Sequence, residues 1–365
     1  METTEGWLYR SNVHRRGAAL RKTANPERTE GVGGSGRQVR PLRPYRLAGQ
    51  AKGHPVVRQP LPSKRRPPAG LPMWQPEGKQ GAGWQAWVGP YLFDVCVCFK
   101  SSDAERDCCM LLATFNINNI NRRLPNLLEW LAFRRPDIVC LQELKAPQDR
   151  FPAQAISRVG YQSVWIGQKA WNGVAILSRG SEPILIRDRL PGGQNDDQAR
   201  YIEAAVKGIV IASIYAPNGN PRPGPKFDYK LAWLERLSRH VTALRRTGAP
   251  IALLGDFNVA PTGLDIYPTR SWDQDALIQL ESRDAFKRLV GRSWVDALRK
   301  AKPNERIYTF WDYKRNRWVR DAGLRLDHIL LNRELAVKLS DAGVDKSTRG
   351  KDGASDHAPV WARLR

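Results

Sequence analysis

From Met110 onward the chain switches repeatedly between two hydrophobic periods. "MLLATFNIN", "DIVCLQE", "GVAILSR", "IALLGDFN", "LRLDHILLN" and "APVWARL" are short apolar runs of the length and β-branched character expected of buried strands. "IEAAVKGIVIASIYAP" reads as two strands joined by a turn at Gly208. Between them, "RLPNLLEWLAFRR" repeats Leu124, Leu127, Leu128 and Leu131 at helical spacing. A longer helix carries Leu231, Leu234, Val241 and Leu244 inward and Arg236, Arg239, Arg245 and Arg246 outward, a basic face that reads as solvated surface, and a further helix is predicted near 282–290. Many short apolar strands with a few intervening helices predict an α/β protein, two sheets packed together between helices. No internal repeat is apparent in the sequence.

Several of these strands end in groups that resist burial. Asn116 and Asn118 follow "LLATF", Glu143 follows "DIVCLQ", Asp256 and Asn258 close "IALLG", Asp327 interrupts "LRLDHILL", and Asp356-His357 precede "APVWARL". Strand alternation points Asp256 and Asn258 to the same face. A lone Asp or Asn at a strand end is ordinarily a turn former or a cap. Repeated over five strands that share an end, such residues converge on one cleft. Acids and amides with a single histidine suit a hard cation such as Mg²⁺, which takes oxygen ligands and leaves room for a phosphate. A cation, an acid and an amide that orient water, and an imidazole with its own carboxylate are the parts of phosphate-ester hydrolysis.

Charge narrows the partner. The 365 residues carry a formal charge of +23, which favours a phosphate polymer over other partners. No apolar run is long enough to span a membrane, and "METTEGWLYR" lacks the features of a secretion signal. Five cysteines fit a reducing cytosol better than a disulfide framework, so a cytoplasmic location is expected, on the nucleoid if the source is bacterial. Residues 1–109 are crowded with Pro, Gly and Arg and show no sustained period. They are read as a disordered or appended segment ahead of a catalytic domain at 110–365. Counted from the sequence, the two parts carry 18 and 41 basic against 9 and 27 acidic residues, +9 and +14. Cys96, Cys98, Cys108 and Cys109 lack C-x2-C spacing and a nearby histidine, which weighs against zinc.

"TFNIN", "PDIVCLQELK", "YAPNG", "GDFNVAPTGLDI", "TFWDYKRN", "GLRLDHIL" and "SDHAPVWA" occur in order across 110–365. In this the chain resembles the exonuclease III family of abasic-site endonucleases, within the endonuclease/exonuclease/phosphatase superfamily. The resemblance implies a four-layer sandwich, two mixed β-sheets flanked by helices. It implies a Mg²⁺-dependent DNA repair nuclease, with Mn²⁺ as a possible substitute, which cuts duplex DNA 5′ to abasic sites and trims or unblocks 3′ ends as a monomer. By similarity Glu143 is the chief metal carboxylate, with Asn116, Asn118, Asp356, Asp256 and Asn258 around the ion. Asp256 orients or deprotonates the water, Asn258 holds it or the phosphate, His357 contacts a phosphate oxygen, and Asp327 fixes the tautomer of His357. Tyr215 and Asn218 lie near the scissile phosphate. Phe310, Leu324 and Leu326 line a small apolar pocket for a baseless sugar, and Trp311, Lys314 and Arg315, with Arg317 and Trp318, form a DNA-contacting loop.

Two other readings stand beside this one. A phosphomonoesterase or lipid-headgroup phosphodiesterase of the same superfamily would share the acids but have little use for the positive charge or the "TFWDYKRN" loop. A non-catalytic nucleic-acid-binding protein would have no need of the acid cluster.

Overall fold

The computed structural model describes residues 109–365. The segment expected to be unstructured, residues 1–109, lies outside the described residues except for Cys109, and so do Cys96, Cys98 and Cys108. Among the described residues no helix is long and apolar enough to cross a membrane.

In chain order the strands are β1 (Met110–Asn116), β2 (Ile138–Gln142), β3 (Tyr161–Ile166), β4 (Val174–Arg179), β5 (Ile184–Arg187), β6 (Tyr201–Val206), β7 (Ile209–Tyr215), β8 (Ile251–Asp256), β9 (Val295–Asp296), β10 (Asp327–Leu331), β11 (Leu339–Val344) and β12 (Val360–Leu364). The helices are α1 (Leu124–Arg134), α2 (Ala153–Arg158), α3 (Pro225–Arg245), α4 (Leu280–Val290), α5 (Ala297–Ala301) and α6 (Arg333–Ala336). The strands form two six-stranded sheets, ordered β11-β12-β1-β2-β4-β3 and β5-β6-β7-β8-β10-β9. Both sheets are mixed: β1 runs parallel to β2 and β7 parallel to β8, while the other neighbours are antiparallel. The two strand orders trace the same path twice, a duplication of topology that the residues themselves do not betray.

Strand alternation builds the layers. Leu112 of β1, Ile138 and Cys140 of β2, Ile211 of β7, Leu254 of β8 and Ile329 of β10 point between the sheets into one shared core. The alternate residues of the first sheet, Ala113, Phe115, Val139 and Leu141, meet Leu127, Trp130 and Leu131 of α1. Those of the second, Ala212, Ile214 and Leu253, meet Trp233, Leu234, Leu237 and Val241 of α3 and Phe286 and Leu289 of α4. Each such fully buried aliphatic side chain contributes roughly 1.5–3 kcal/mol. The result is the expected four-layer sandwich.

Local chemistry sets the boundaries. α1 has Pro125 as its second residue and α3 begins on Pro225, prolines whose missing N–H costs nothing in a first turn. The β6–β7 hairpin turns through Lys207 and Gly208, both at positive φ (50° and 79°), which matches the twist of the flanking strands.

One glycine is essential to the sheet. Gly255 sits at φ 158°, and a Cβ placed there would lie 1.9 Å from the carbonyl oxygen of Ile214 on the parallel neighbour β7. Only a residue without a side chain lets β7 and β8 pair up to the register Tyr215 to Asp256. We predict that Gly255→Ala lowers stability by about 3 kcal/mol and reduces activity, because the added carbon meets backbone. Thermal unfolding checks this, and an unchanged midpoint would refute the assigned role.

Candidate active site

The apolar core between the sheets gives way, towards one end, to polar side chains on the same inward columns. Asn116 continues the face of Leu112, Asp256 that of Leu254, and Asp327 that of Ile329, while Tyr215 continues that of Ile211. The pairings Asn116 to Gln142, Tyr215 to Asp256 and Asp327 to Asp256 place them level with one another. Just below lies a buried polar layer, in which Thr114 Oγ1 and Gln142 Oε1 are 3.2 Å apart and Gln142 Nε2 donates to Ser213 Oγ at 3.2 Å. These amide and hydroxyl groups are satisfied by one another, so the layer grades the dry core into the charged site without unpaired dipoles.

The remaining groups arrive on the loops that follow the strands. Asn118, Glu143, Lys145 and Asn258 all have left-handed backbone, with φ of 47°, 53°, 48° and 51°. Asn tolerates this conformation, but Glu and Lys adopt it at a cost of order 1 kcal/mol or more, which the surrounding contacts must offset. Strain of this kind turns Glu143 back over the end of β2 towards β8.

The geometry is closely knit. Asn116 Nδ2 donates both to Glu143 Oε1 (2.8 Å) and to Asp256 Oδ2 (3.0 Å), tying the two sheets together. Asn118 donates to Asp356 Oδ1 at 2.8 Å. Asp256 Oδ1 accepts from the backbone of Asn258 at 2.8 Å, and the Asn258 amide donates to the carbonyl of Ala216 at 2.8 Å. His357 Nδ1 lies 2.8 Å from Asp327 Oδ2, and His357 Nε2 lies 3.8 Å from Asp256 Oδ2. Donor atoms of Glu143, Asp256 and His357 all fall within 4.8 Å of one another.

Electrostatics follow from burial and neighbours. Burial pushes the Asp256 carboxyl up, and the charges of Asp327 and Glu143 add to the rise, with His357 opposing it. Burial opposes charge on His357, yet the carboxylates of Asp327, Asp256 and Asp356 outweigh it and hold the imidazole protonated well above its usual range. Glu143 is held below the usual carboxylate value despite its burial, by Lys145 first and then Asn116. The Tyr215 hydroxyl is kept protonated by burial and by the negative charge of Glu143, and Arg200 lies 4.7 Å above its ring.

This donor set fits a divalent cation. Glu143 is ion-paired with Lys145, and Asp256 and Asp327 with His357, while the buried Asp327 Oδ1 has no hydrogen-bond partner among the described residues. An ion with hard-oxygen preference would be met by Glu143, Asn116, Asn118 and Asp356, with Asp256 and Asn258 beside them.

The expected substrate surface is placed only in part. Phe310 is half-buried with its ring centroid 4.9 Å from that of His357, and Leu324 and Leu326 are buried behind it against Trp272 and Leu277. Asn218 is exposed and its amide lies 3.4 Å from Asn258 Oδ1. Lys314 and Arg315 are exposed at the loop tip. Trp311 corrects the expectation of a DNA-contacting aromatic: it is 1% exposed and donates its indole N–H to Asp321 at 2.9 Å. Arg317 is likewise committed, its guanidinium 3.6 Å above the ring of Trp272. Both brace the loop from within.

Two lysines of the site were missed. Lys145 Nζ lies 2.7 Å from Glu143 Oε2 and donates to Asn118 Oδ1 at 2.6 Å. Lys230, fully buried on α3, donates to the carbonyls of Asn218 (3.1 Å) and Asn258 (2.5 Å) and so pins together the two loops flanking the site. Burial lowers its pKa to about 7 in spite of Asp256 and Asp275. The signal was present: Lys230 falls on the buried stripe of Phe227, Leu234, Leu237 and Val241, where a cation needs a reason.

The chain is similar to known proteins. Residues 113–357 match the model of the endonuclease/exonuclease/phosphatase family. Exodeoxyribonuclease III of Haemophilus influenzae is 31% identical over 270 residues, 70% of this chain and 100% of that protein. A 3′ phosphatase from Neisseria, solved with a product DNA hairpin, is 40% identical with a TM-score of 0.68 over 70% of this chain and 99% of its own. An AP endonuclease from Archaeoglobus fulgidus is 37% identical, with a TM-score of 0.67 over 69% and 98%. The chain therefore belongs to the endonuclease/exonuclease/phosphatase family, and within it to the exodeoxyribonuclease III group of nucleases.

Proposed function

We propose that this chain is a Mg²⁺-dependent DNA repair nuclease that hydrolyses the phosphodiester 5′ to an abasic site in duplex DNA and also removes nucleotides and blocking groups from 3′ ends. The observation that carries the reading is the meeting of Glu143, Asp256 and His357 within 4.8 Å, with Asp327 behind the imidazole. The 3′-end activities are supported by the relative solved as a 3′ phosphatase with a product DNA hairpin.

Asp256, held by Asn116 and the backbone of Asn258, receives the proton of the attacking water, a role its raised proton affinity suits. Asn258, fixed by the carbonyl of Ala216, orients that water or a phosphate oxygen. His357 keeps its Nδ1–H on Asp327 and directs a charged Nε2–H at a non-bridging oxygen. Tyr215 offers a neutral O–H beside it, and Asn218 lies at the rim. Mg²⁺, or Mn²⁺ in its place, would be held by Glu143 with Asn116, Asn118 and Asp356, and when bound supplies positive charge to the phosphate and the departing 3′ oxygen. Lys145 keeps Glu143 ionised for that purpose.

Phe310, backed by the buried Leu324 and Leu326, offers an apolar face next to His357, suited to a sugar that has lost its base. Lys314 and Arg315 reach for the backbone beyond it. These basic tips and the +14 balance of residues 110–365 favour a polynucleotide over a lipid headgroup or free phosphomonoester. On this reading the chain acts as a monomer, where chromosomal DNA is held.

Duplex DNA with one abasic site should be nicked 5′ to the lesion in Mg²⁺ and left intact in EDTA. Binding without cleavage in Mg²⁺ would overturn the reading. Asp256→Asn and His357→Ala should each lower turnover by on the order of 10²–10⁴-fold while DNA affinity stays nearly constant, as single-turnover kinetics and a binding isotherm will report. Normal turnover in either variant removes that residue from the mechanism. Glu143→Ala should raise the Mg²⁺ concentration needed for half-maximal activity by on the order of tenfold or more. An unchanged metal titration would count against its assignment.

A further inference from the structure

The end of the molecule opposite the catalytic cluster has a charge pattern that folding does not account for. A cleft of about 620 Å³ is lined by Arg245, Arg246, Arg292, Lys300 and Arg333, with Glu334 as its single acid. All five cations are exposed, and among the described residues none of them forms an ion pair. Arg245 donates to Ser293 Oγ at 2.5 Å and Lys300 to the carbonyl of Ala336 at 3.1 Å, contacts that orient the side chains without neutralising them.

The place of the cleft follows from the topology. β8 starts beside it, where Ile251 donates to Asn332 Oδ1 at 3.0 Å, and finishes at Asp256. The two sites are therefore separated by the length of β8, roughly 17 Å at strand rise. A duplex lying across the catalytic face does not reach the cleft without bending around the sandwich.

Structural reasons cover only part of the cluster. Arg245, at the end of α3, and Arg246, just beyond it, lie near free carbonyls, and Arg292 follows the end of α4, positions that favour a cation. Lys300 stands in the last turn of α5 and is favoured in the same way, but Arg333 opens α6, where the helix dipole opposes a cation, and no helix end accounts for all five facing one another. Five like charges gathered at one cleft repel one another, and a polyanion relieves that repulsion.

We propose that this cleft is a second, non-catalytic DNA site that grips the phosphate backbone of a separate duplex segment. Four of its five cations are arginines, whose planar forks match phosphate oxygens pairwise. The cleft offers Val295, Ala336 and Val337 but no aromatic ring, so an acidic protein would find none of the large anchors that concentrate binding energy at protein interfaces. A second grip would keep the protein on DNA while the catalytic face releases one site and meets another.

The inference takes from the reading above only that the chain works among DNA, and cleavage and far-end binding are measured separately. The test compares the full chain with the triple variant Arg246→Gln/Arg292→Gln/Arg333→Gln. Both retain residues 1–109, so any contribution of that basic segment cancels. With intact duplexes of about 16 base pairs at about 50 mM salt, sedimentation should show the variant binding one duplex fewer per chain. On long duplex DNA the slope of log affinity against log salt should become shallower by about 2.7, 0.9 for each lost phosphate contact. Nicking of a short abasic-site duplex at saturation should match the parent, which shows that the variant is folded. Equal stoichiometry and equal salt slope in parent and variant overturn the proposal. So does a cleft that loses binding of poly-glutamate but not of DNA when neutralised, which would make it a site for acidic protein.

Discussion

Carboxylates do not share a dry hollow willingly, and the catalytic end of this fold is arranged around that fact. Two unit charges 4 Å apart interact by roughly 4 kcal/mol at the effective dielectric of about 20 suited to such sites. Glu143, Asp256, Asp327 and Asp356 are drawn together here, with Lys145 and His357 as the cations among them. If all six are charged, two negative charges remain among them, a surplus of the sign that a cation offsets. The surplus shows itself before any ion binds: Asp256 resists ionisation, while His357 holds its proton tightly. Asn116 is the keystone of this arrangement, since its one amide group bonds the carboxylates of both sheets.

Much of this was legible in the sequence because strands have a period of two. Once "LLATF", "IALLG" and "LRLDHILL" are read as strands, the inward column of each ends in Asn116, Asp256 or Asp327 by counting alone. The layers were legible for the same reason, since the helix stripes and strand runs left only the sandwich to bury both. What counting does not reach is the loops. That Glu143 and Lys145 would both take left-handed backbone, and that Lys145 would lie against Glu143, depends on contacts from β4 and β6, whose ends meet the turn after β2: Leu144 and Lys145 donate to the carbonyls of Gly173 and Asn172, and Gly173 to that of Ala199. Trp311 was misjudged for a related reason. An aromatic among Lys and Arg looks exposed in sequence, but its burial is set by Asp321 and by residues around Ala358, which only folding brings near. The doubled topology was invisible because hydrogen-bonded order, not side-chain identity, is what the two sheets have in common.

The duplication also explains why the site is one-sided. In each half a parallel pair sits at the centre, β1 with β2 and β7 with β8, and parallel strands deliver their C-terminal ends to the same edge. Packing the two halves face to face puts both edges at one end of the sandwich, so Asn116 and Glu143 from the first half meet Tyr215 and Asp256 from the second. The antiparallel β10 then starts at that end, which is how Asp327 joins the set at its first residue.

The same construction leaves the other end with strand beginnings and the C-termini of α3 and α4, and no inward column that ends in acid. Charge there is free to take the opposite sign, and it does, in Arg245, Arg246, Arg292, Lys300 and Arg333. The molecule is thus polar along its strand axis, acids gathered where the parallel strands finish and cations where they begin. For a protein that meets a polyanion these ends have different tasks. The acidic end can approach phosphate only with a metal ion and the basic fringe of Lys314 and Arg315, and so engages it where chemistry is possible. The basic end needs no ion and makes no demand on the geometry of what it holds. An enzyme so divided can separate holding from cutting, because the residues that supply salt-dependent attraction are not those that must be placed to a fraction of an ångström.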